Sequence, residues 1–420
     1  IDDLPDVVEA TGAHLAVFAM TNAPQETIRR AAAAAERADV AMKIIPGMSS
    51  AMRGGASLRD IRDLRIEDLL GREQVVTDLD AVTAMLRGRR VLITGAGGSI
   101  GSEISRQVAR CSPERVILLD HDETHLHDVA ADLQGPIVQV LADIRNRRQM
   151  HQVFSEHRPT VVFHAAAHKH VPLLEAHPAE AVQTNVLGTS NLLDSALEVG
   201  VERFVMISTD KAVYPSSVMG ASKRICEQLV INRAPEHAAY CAVRFGNVLG
   251  SRGSVVPTFM RQIEAGGPVT VTDRRMTRFF MSIEEAVQLV LQAGALADPT
   301  TGGEVFMLDM GEPVQIYDLA ERMIRLSGRK PGTDIEIRIT GIRPGEKLAE
   351  ELRAIDEQES PTLHPSINHV SPVSIDPEML ETGVLELGKY GTDLDDDRCR
   401  TLLHRLAAVA PEQTTLRPTA

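Results

Sequence analysis

Short apolar runs of four or five residues, bounded by glycine or charged residues and separated by stretches of helical periodicity, recur along most of this chain. Near the start, a polar helix from Leu4 to Thr11 precedes the apolar run Leu15-Ala16-Val17-Phe18-Ala19. An alanine- and arginine-rich helix from Pro24 to Ala38 follows, then the strand-like run Met42-Lys43-Ile44-Ile45-Pro46. This is α/β patterning without a glycine-rich turn, so residues 1–50 read as the back half of a small, partial α/β domain of Rossmann-like character. Residues 51–88 read as a connector ending in a helix. From Arg89 the alternation becomes regular. Val91-Leu92-Ile93-Thr94 is a buried strand, Gly95 to Gly101 a turn, and Ser102 onward a helix. Further strands fall at Val116 to Leu119, Ile137 to Leu141, Val161 to His164, Phe204 to Ser208 and Ala242 to Phe245, each separated by helical patterning. The expectation is a doubly wound parallel sheet over 89–250. Residues 251–355 read as a smaller lobe with some return to the sheet domain, and 356–420 as a C-terminal extension that turns Pro-rich, then acidic and helical.

At 420 residues the chain is too long for one ordinary core, in keeping with two or three domains. A formal net charge of −14 argues against a nucleic-acid binder, which needs a basic face to neutralise phosphates. Cys111, Cys226, Cys241 and Cys399 lack CxxC or CxxH spacing, so neither a zinc site nor a disulfide framework is indicated, and a reducing cytosolic setting fits. No window has the roughly 18 consecutive apolar residues of a membrane span. The opening Ile1-Asp2-Asp3-Leu4-Pro5 reads as the middle of a protein, so an upstream portion is expected.

Gly95, Gly98 and Gly101 give the spacing GxxGxxG between a strand and a helix. Such a turn, which includes Ser99 and Ile100, lets the backbone approach a pyrophosphate and aims a helix N-terminus at its charge. Asp120 closes the next strand about 20 residues on, where a carboxylate accepts hydrogen bonds from the adenosine ribose. It would repel a 2′-phosphate and so favours NAD over NADP, while His121 and Arg115 keep the second cofactor open. Asp143 and Ile144 follow the third strand and are expected near the adenine. Ala165, Ala166 and Ala167 supply small side chains where the backbone passes the cofactor, and Asn185 lies on the following helix.

The stretch Ser208-Thr209-Asp210-Lys211, with Met219-Gly220-Ala221-Ser222-Lys223 after it, resembles a short-chain dehydrogenase active site in which Met219 stands where a tyrosine precedes the lysine by one helical turn. A thioether cannot take a proton, so acid–base duty must lie elsewhere. With His164 to Pro172, Arg244-Phe245-Gly246-Asn247-Val248-Leu249-Gly250-Ser251, Arg278-Phe279-Phe280, Arg343-Pro344-Gly345-Glu346-Lys347, Ile44 to Gly47 and Ile66 to Arg72, the chain resembles extended short-chain dehydrogenases. More narrowly it is similar to the bacterial polysaccharide-biosynthesis family of nucleotide-sugar 4,6-dehydratases, in its large membrane-anchored members that act on UDP-N-acetylglucosamine and carry Met in place of Tyr. The resemblance implies a parent protein anchored in the inner or plasma membrane. The present chain would be a cytoplasmic part without membrane contact of its own, and a homo-oligomer associating through catalytic-domain helices.

The implied reaction is oxidation at sugar C4 by NAD, loss of water across C5 and C6, and hydride return to C6 with configuration retained at C5. It gives UDP-2-acetamido-2,6-dideoxy-4-keto-hexose for surface glycan synthesis. By the same resemblance Asp210 is the acid for the C6 hydroxyl and Lys211 the C5 base. Thr209 bonds the C4 oxygen, and Lys223 holds the nicotinamide ribose and stabilises negative charge near C4. Met219 is read as an apolar filler; Tyr214, nine residues before Lys223 and so off the four-residue spacing, is the minor alternative for the missing tyrosine, whose replacement stays open. Lys169 is placed near the substrate. Asn247, Val248, Arg252, Arg278, Arg343 and Glu346 are expected to clamp the nucleotide sugar, the arginines on the diphosphate and Glu346 on the uridine ribose. His168, Lys169 and His170 lack the carboxylate or cysteine that would complete a metal site. Two other readings stay open: a UDP-sugar epimerase acting at C4 or C5, and a catalytically silent NAD-bound scaffold.

Overall fold

The computed structural model describes residues 1–20, 23–45, 62–63, 68 and 78–408. Most of the connector, the Ile66 to Arg72 motif apart from Asp68, Pro46-Gly47 and the chain beyond 408 lie outside the described residues. Two compact units emerge, one of Ile1–Val75, Asn247–Ser282 and Gly311–Gly341, the other of Val76–Gly246, Ile283–Met310 and Ile342–Ala420. No helix among the described residues is long and apolar enough to cross a membrane.

The larger unit is built on one nine-stranded sheet. In chain order its strands are β1 (Arg90–Thr94), β2 (Arg115–Asp120), β3 (Ile137–Leu141), β4 (Val161–His164), β5 (Arg203–Ile207), β6 (Ala239–Arg244), β7 (Glu304–Leu308), β8 (Gln358–Pro361) and β9 (Ile367–Ser371). Across the sheet they run β8-β9-β7-β6-β5-β4-β1-β2-β3. Strands β1 to β7 are mutually parallel, and β9 and β8 add an antiparallel hairpin at one edge. Val91, Leu92 and Ile93 are fully buried, as are Val116, Ile117 and Leu118, which is why these strands read as continuous apolar runs: a parallel strand is covered by helices on both faces. The order reverses between β1 and β4, and ligands of open α/β sheets bind beyond the carboxyl ends at such a reversal. The α/β expectation is therefore met, with each strand within a few residues of its anticipated position.

Strand β7 lies in the stretch expected to return in part to the sheet domain, but neither it nor the β8–β9 hairpin is expected as a strand. Residues 247–282 interrupt the sheet, and β7 returns to pair in parallel with β6 only after the long helix Ile283–Leu296, so no local pattern marks it as a sheet member. Beyond the hairpin, helices Pro377–Thr392 and Asp396–Ala407 pack on each other, and the second covers the helix Val218–Asn232. Every residue of that central helix from Val218 to Val230 is buried.

The smaller unit contains a three-stranded sheet in which Leu15–Phe18 pairs in parallel with Ala41–Ile44, itself antiparallel to Arg62–Asp63. Helix Gln25–Arg37 helps bury Phe18, Ala31 and Ile44. A second core in this unit gathers Leu249, Phe259, Met276, Leu319 and Ile324 around helices Val255–Glu264 and Ile316–Leu326.

Beneath the carboxyl ends of β5 and β6 lies an ion network with no access to water. Arg244 of β6 donates from Nε and Nη2 to both oxygens of Glu227, at 2.8 Å each, and from Nη1 and Nη2 to Glu357, also at 2.8 Å. Arg224 donates to Glu357 at 2.8 Å and to the Val373 carbonyl at 3.1 Å, while the Ser208 hydroxyl donates to Glu227 at 2.6 Å. Two positive and two negative groups balance, and the bidentate forks supply the hydrogen bonds that buried charges require. Burial works to raise the Glu357 carboxyl, yet its bonds to Arg244 prevail and bring it down from 4.5 to about 2. A carboxylate lowered in the folded state stabilises above its unfolded value and loses that contribution as pH falls toward the folded one. Glu357→Gln is accordingly expected to cost about 3–5 kcal/mol near neutral pH. It should also flatten the loss of stability between pH 4.5 and about 2, both read from denaturant unfolding across pH.

Candidate active site

After β1 the chain turns through Gly95, whose φ of +67° suits glycine, and Gly98 sits at the N-cap of helix Ser99–Ala109. A Cβ on Gly101 would lie 2.0 Å from the Gly95 carbonyl oxygen, and one on Gly95 would lie 2.6 Å from the Ala166 nitrogen. The helix start therefore folds directly onto the turn, and β4 delivers Ala165 and Ala166 against it. Gly97, not singled out among the motif positions, matters as much: its N–H donates to Asp120 Oδ2 at 2.8 Å, and a Cβ there would meet His125 Cβ at 2.7 Å. The GAGG run was the available signal.

Asp120 is buried at the end of β2, its other oxygen accepting from the Asp122 N–H at 3.0 Å. Its carboxylate therefore borders the turn, as a ribose partner must. Arg115 opens the same strand, roughly 16 Å away at about 3.3 Å per residue. That places it at the opposite end of the strand and removes it as a 2′-phosphate partner. Exposed His121 stays nearby, its Nδ1 3.3 Å from Asp120. The cradle of bare backbone with an acidic group beside it fits a dinucleotide with a free ribose.

Asp143 follows β3, partly exposed, and its carboxylate is taken by Arg145, whose Nε donates at 2.8 Å and backbone N–H at 2.9 Å. Ile144 is buried, its side chain against Gly188. Asn185 is a brace: it accepts from the His168 N–H at 2.8 Å and donates to the His168 carbonyl at 3.1 Å and to Ser222 Oγ at 2.9 Å. It thereby ties the loop after β4 to the helix Val218–Asn232. His164 is fully buried between the Thr94 and Thr189 hydroxyls, at 2.8 and 2.9 Å. Burial, reinforced by Lys223, depresses the imidazole to about 3, so it is neutral at physiological pH.

At the end of β5, Thr209 caps a short 3-10 turn, Asp210–Ala212. One oxygen of Asp210 accepts from the Thr209 hydroxyl at 2.8 Å and from the Lys211 ammonium at 2.9 Å. The other is buried and has no hydrogen-bond partner. The helix Val218–Asn232 presses onto this turn so closely that a Cβ on Gly220 would fall 2.2 Å from the Lys211 carbonyl oxygen. Met219 is buried in the main core, and Lys223 is buried too; burial lowers its ammonium below the ordinary lysine value, with Cys226 and Glu227 acting the other way. The Tyr214 hydroxyl accepts from the Ile355 N–H at 2.7 Å.

The predicted clamp residues divide. Lys169 is exposed on the loop after β4, and Arg343 and Glu346 belong to the same unit, where Glu346 accepts from the Arg343 N–H at 3.2 Å. Asn247, Val248, Arg252 and Arg278 belong to the smaller unit, in which Asn247-Val248 pairs with Phe280-Met281, just beyond Arg278.

Residues 91–372 match the model of a family described as "Polysaccharide biosynthesis protein". The chain belongs to this family. Its members share the Rossmann-type fold of extended short-chain dehydrogenases seen here. Capsular polysaccharide biosynthesis protein CapD of Staphylococcus aureus is 47% identical over 360 residues, which are 84% of this chain; the chain spans 59% of CapD's own length. Among solved structures, Pen from Bacillus thuringiensis is 32% identical with a TM-score of 0.63, covering 72% of this chain and 98% of Pen. The UDP-glucose 4-epimerase of Thermus thermophilus, solved with NAD, is 25% identical with a TM-score of 0.55, covering 63% of this chain and 90% of the epimerase.

In a family member with this turn, Gly101→Ala must push backbone against backbone. It is expected to weaken dinucleotide binding on the order of 100-fold, about 3 kcal/mol. Calorimetric titration with NAD checks this, with circular dichroism reporting that the fold is kept.

Proposed function

We propose that this chain is the catalytic part of an NAD-dependent UDP-N-acetylglucosamine 4,6-dehydratase that retains configuration at C5 and feeds surface glycan synthesis. The observation that carries the reading is the Asp210–Lys211 pair. Elimination of water needs an acid and a base side by side, and here they are adjacent in sequence, in contact at 2.9 Å, at the carboxyl end of β5. Bound NAD would supply the oxidation at C4 and the return of hydride at C6. The turn of Gly95, Gly97, Gly98 and Gly101, with Ser99 and Ile100, would hold its pyrophosphate, and Asp120 its ribose.

The chain's own residues take the remaining steps. As hydride leaves C4, the Thr209 hydroxyl takes the C4 hydroxyl proton and passes its own to Asp210 Oδ1, 2.8 Å away, and the Lys223 ammonium stabilises charge on the C4 oxygen. Lys211, as the neutral amine, removes the C5 proton and gives one back to C5 as hydride returns to C6, and Asp210 delivers the proton it has received to the departing C6 hydroxyl. Met219 offers an apolar wall against the nicotinamide or sugar. Asn247, Val248, Arg252, Arg278, Arg343 and Glu346, with Lys169, bind the nucleotide and diphosphate. In this reading residues 89–250 carry the cofactor, most of 251–355 the nucleotide sugar, and the chain acts as the cytoplasmic portion of a membrane-anchored parent. The name of CapD supports the glycan assignment.

Similarity to a UDP-glucose 4-epimerase keeps a second reading in view, inversion at C4 or C5 without loss of water. Incubation with UDP-N-acetylglucosamine in deuterated water, followed by proton NMR, separates the two. The dehydratase yields a C6 methyl signal with deuterium at C5 and couplings of the gluco configuration. Inversion or exchange without a methyl group sinks the proposal in favour of the epimerase, and unchanged substrate leaves a silent scaffold. Asp210→Asn keeps the shape but not the acid, so methyl formation is expected to slow by about 10²–10⁴-fold.

A further inference from the structure

The segment after Gly341 runs back along the catalytic turn. The Ser216 hydroxyl donates to the Gly345 carbonyl at 3.2 Å, and the Lys347 ammonium donates to the Val213 carbonyl at 3.0 Å. This lacing brings Glu350 to Lys211, with Oε1 3.7 Å from the Lys211 ammonium. The Glu350 side chain is 4% exposed and that of Lys211 18%. The Lys211 ammonium thus lies between two interior carboxylates, Asp210 at 2.9 Å and Glu350 at 3.7 Å. A carboxylate kept this far from water is costly unless a charge partner compensates it, and here the compensating partner is the group assigned to proton abstraction.

We propose that Glu350 is a positioning residue for Lys211: it acts as the second arm of a clamp that fixes where the ammonium nitrogen sits. The contact with Asp210 leaves the end of a four-carbon stem room to pivot, and a second carboxylate reduces that freedom. This matters because a reacting atom misplaced by 1 Å loses about 10²-fold in rate. Glu350 touches Lys211 and enters no bond-making step.

The inference rests on the proposed role of Lys211 as C5 base, and the experiment keeps the two apart. Wild type and Glu350→Gln would be followed in single turnover with UDP-N-acetylglucosamine in deuterated water, recording reduced nicotinamide by absorbance and C5 deuteration by NMR. The expected result is C4 oxidation at the wild-type rate, accumulation of reduced nicotinamide, and C5 exchange slowed about 10²-fold with KM unchanged. Glu350→Asp, which keeps the charge, should recover part of the C5 step and serves as the test variant if the glutamine variant does not fold. In parallel, acetic anhydride labelling of Lys211, read by mass spectrometry, should rise in Glu350→Gln as the ammonium is released from its second partner. Equal slowing of both steps, or unaltered C5 exchange together with unaltered labelling, overturns the clamp. Absence of C5 exchange in the wild type would instead overturn the reading of Lys211 as base, and the labelling result would still decide whether Glu350 holds it.

Discussion

Arg224, Glu227, Arg244 and Glu357 form the constraint on which the rest of the larger unit depends. They join a helix, a central strand and the segment after residue 350, and Ser208, the first residue of the catalytic turn, hangs from Glu227 by its hydroxyl. Replacing such a quartet with apolar groups is often tolerated energetically, so its stabilising value alone does not account for it. Its directional forks fix where the end of β5 stands relative to the helix carrying Met219 and Lys223. Hydrophobic contact, which has no preferred direction, would leave that geometry free to slide.

Around this anchor the site is a stack of close approaches. Gly101 lies over Gly95, Gly95 beneath Ala166, and Gly220 on the carbonyl of Lys211. Each is a place where two backbones meet without an intervening side chain. Asn185 and His164 complete the frame from the β4 side, one bonding the loop to the helix, the other spanning Thr94 and Thr189 as a neutral ring. A site assembled this way is rigid at the turns.

What the sequence made legible was local. Strand runs, the glycine turn and Asp120 announce themselves over short stretches, because period and turn chemistry are short-range signals. Glu227, Glu350 and Glu357 gave no such signal. Each reads as an ordinary helical or loop glutamate, and only pairing with Arg244, Lys211 or Arg224 across the fold reveals them as interior. Strand β7 stayed hidden for the same reason, since its partner β6 lies far earlier in the chain. Arg115 errs in the opposite sense: proximity in sequence suggested proximity to the site, whereas strand direction carries it away.

The separation of Arg244 from Glu357, 113 residues, has a consequence for how the chain comes into being. During synthesis, β6 leaves the ribosome long before the segment that neutralises its arginine. Until then Arg224 and Arg244 face a single glutamate, and the surplus positive charge resists withdrawal from water. The sheet can form its flank of β1 to β5 while still nascent, but the heart of the catalytic face must wait for residues beyond 350. Assembly of the cofactor pocket and completion of the reactive turn are thus separated in time, with the C-terminal stretch acting as the stitch that closes the molecule.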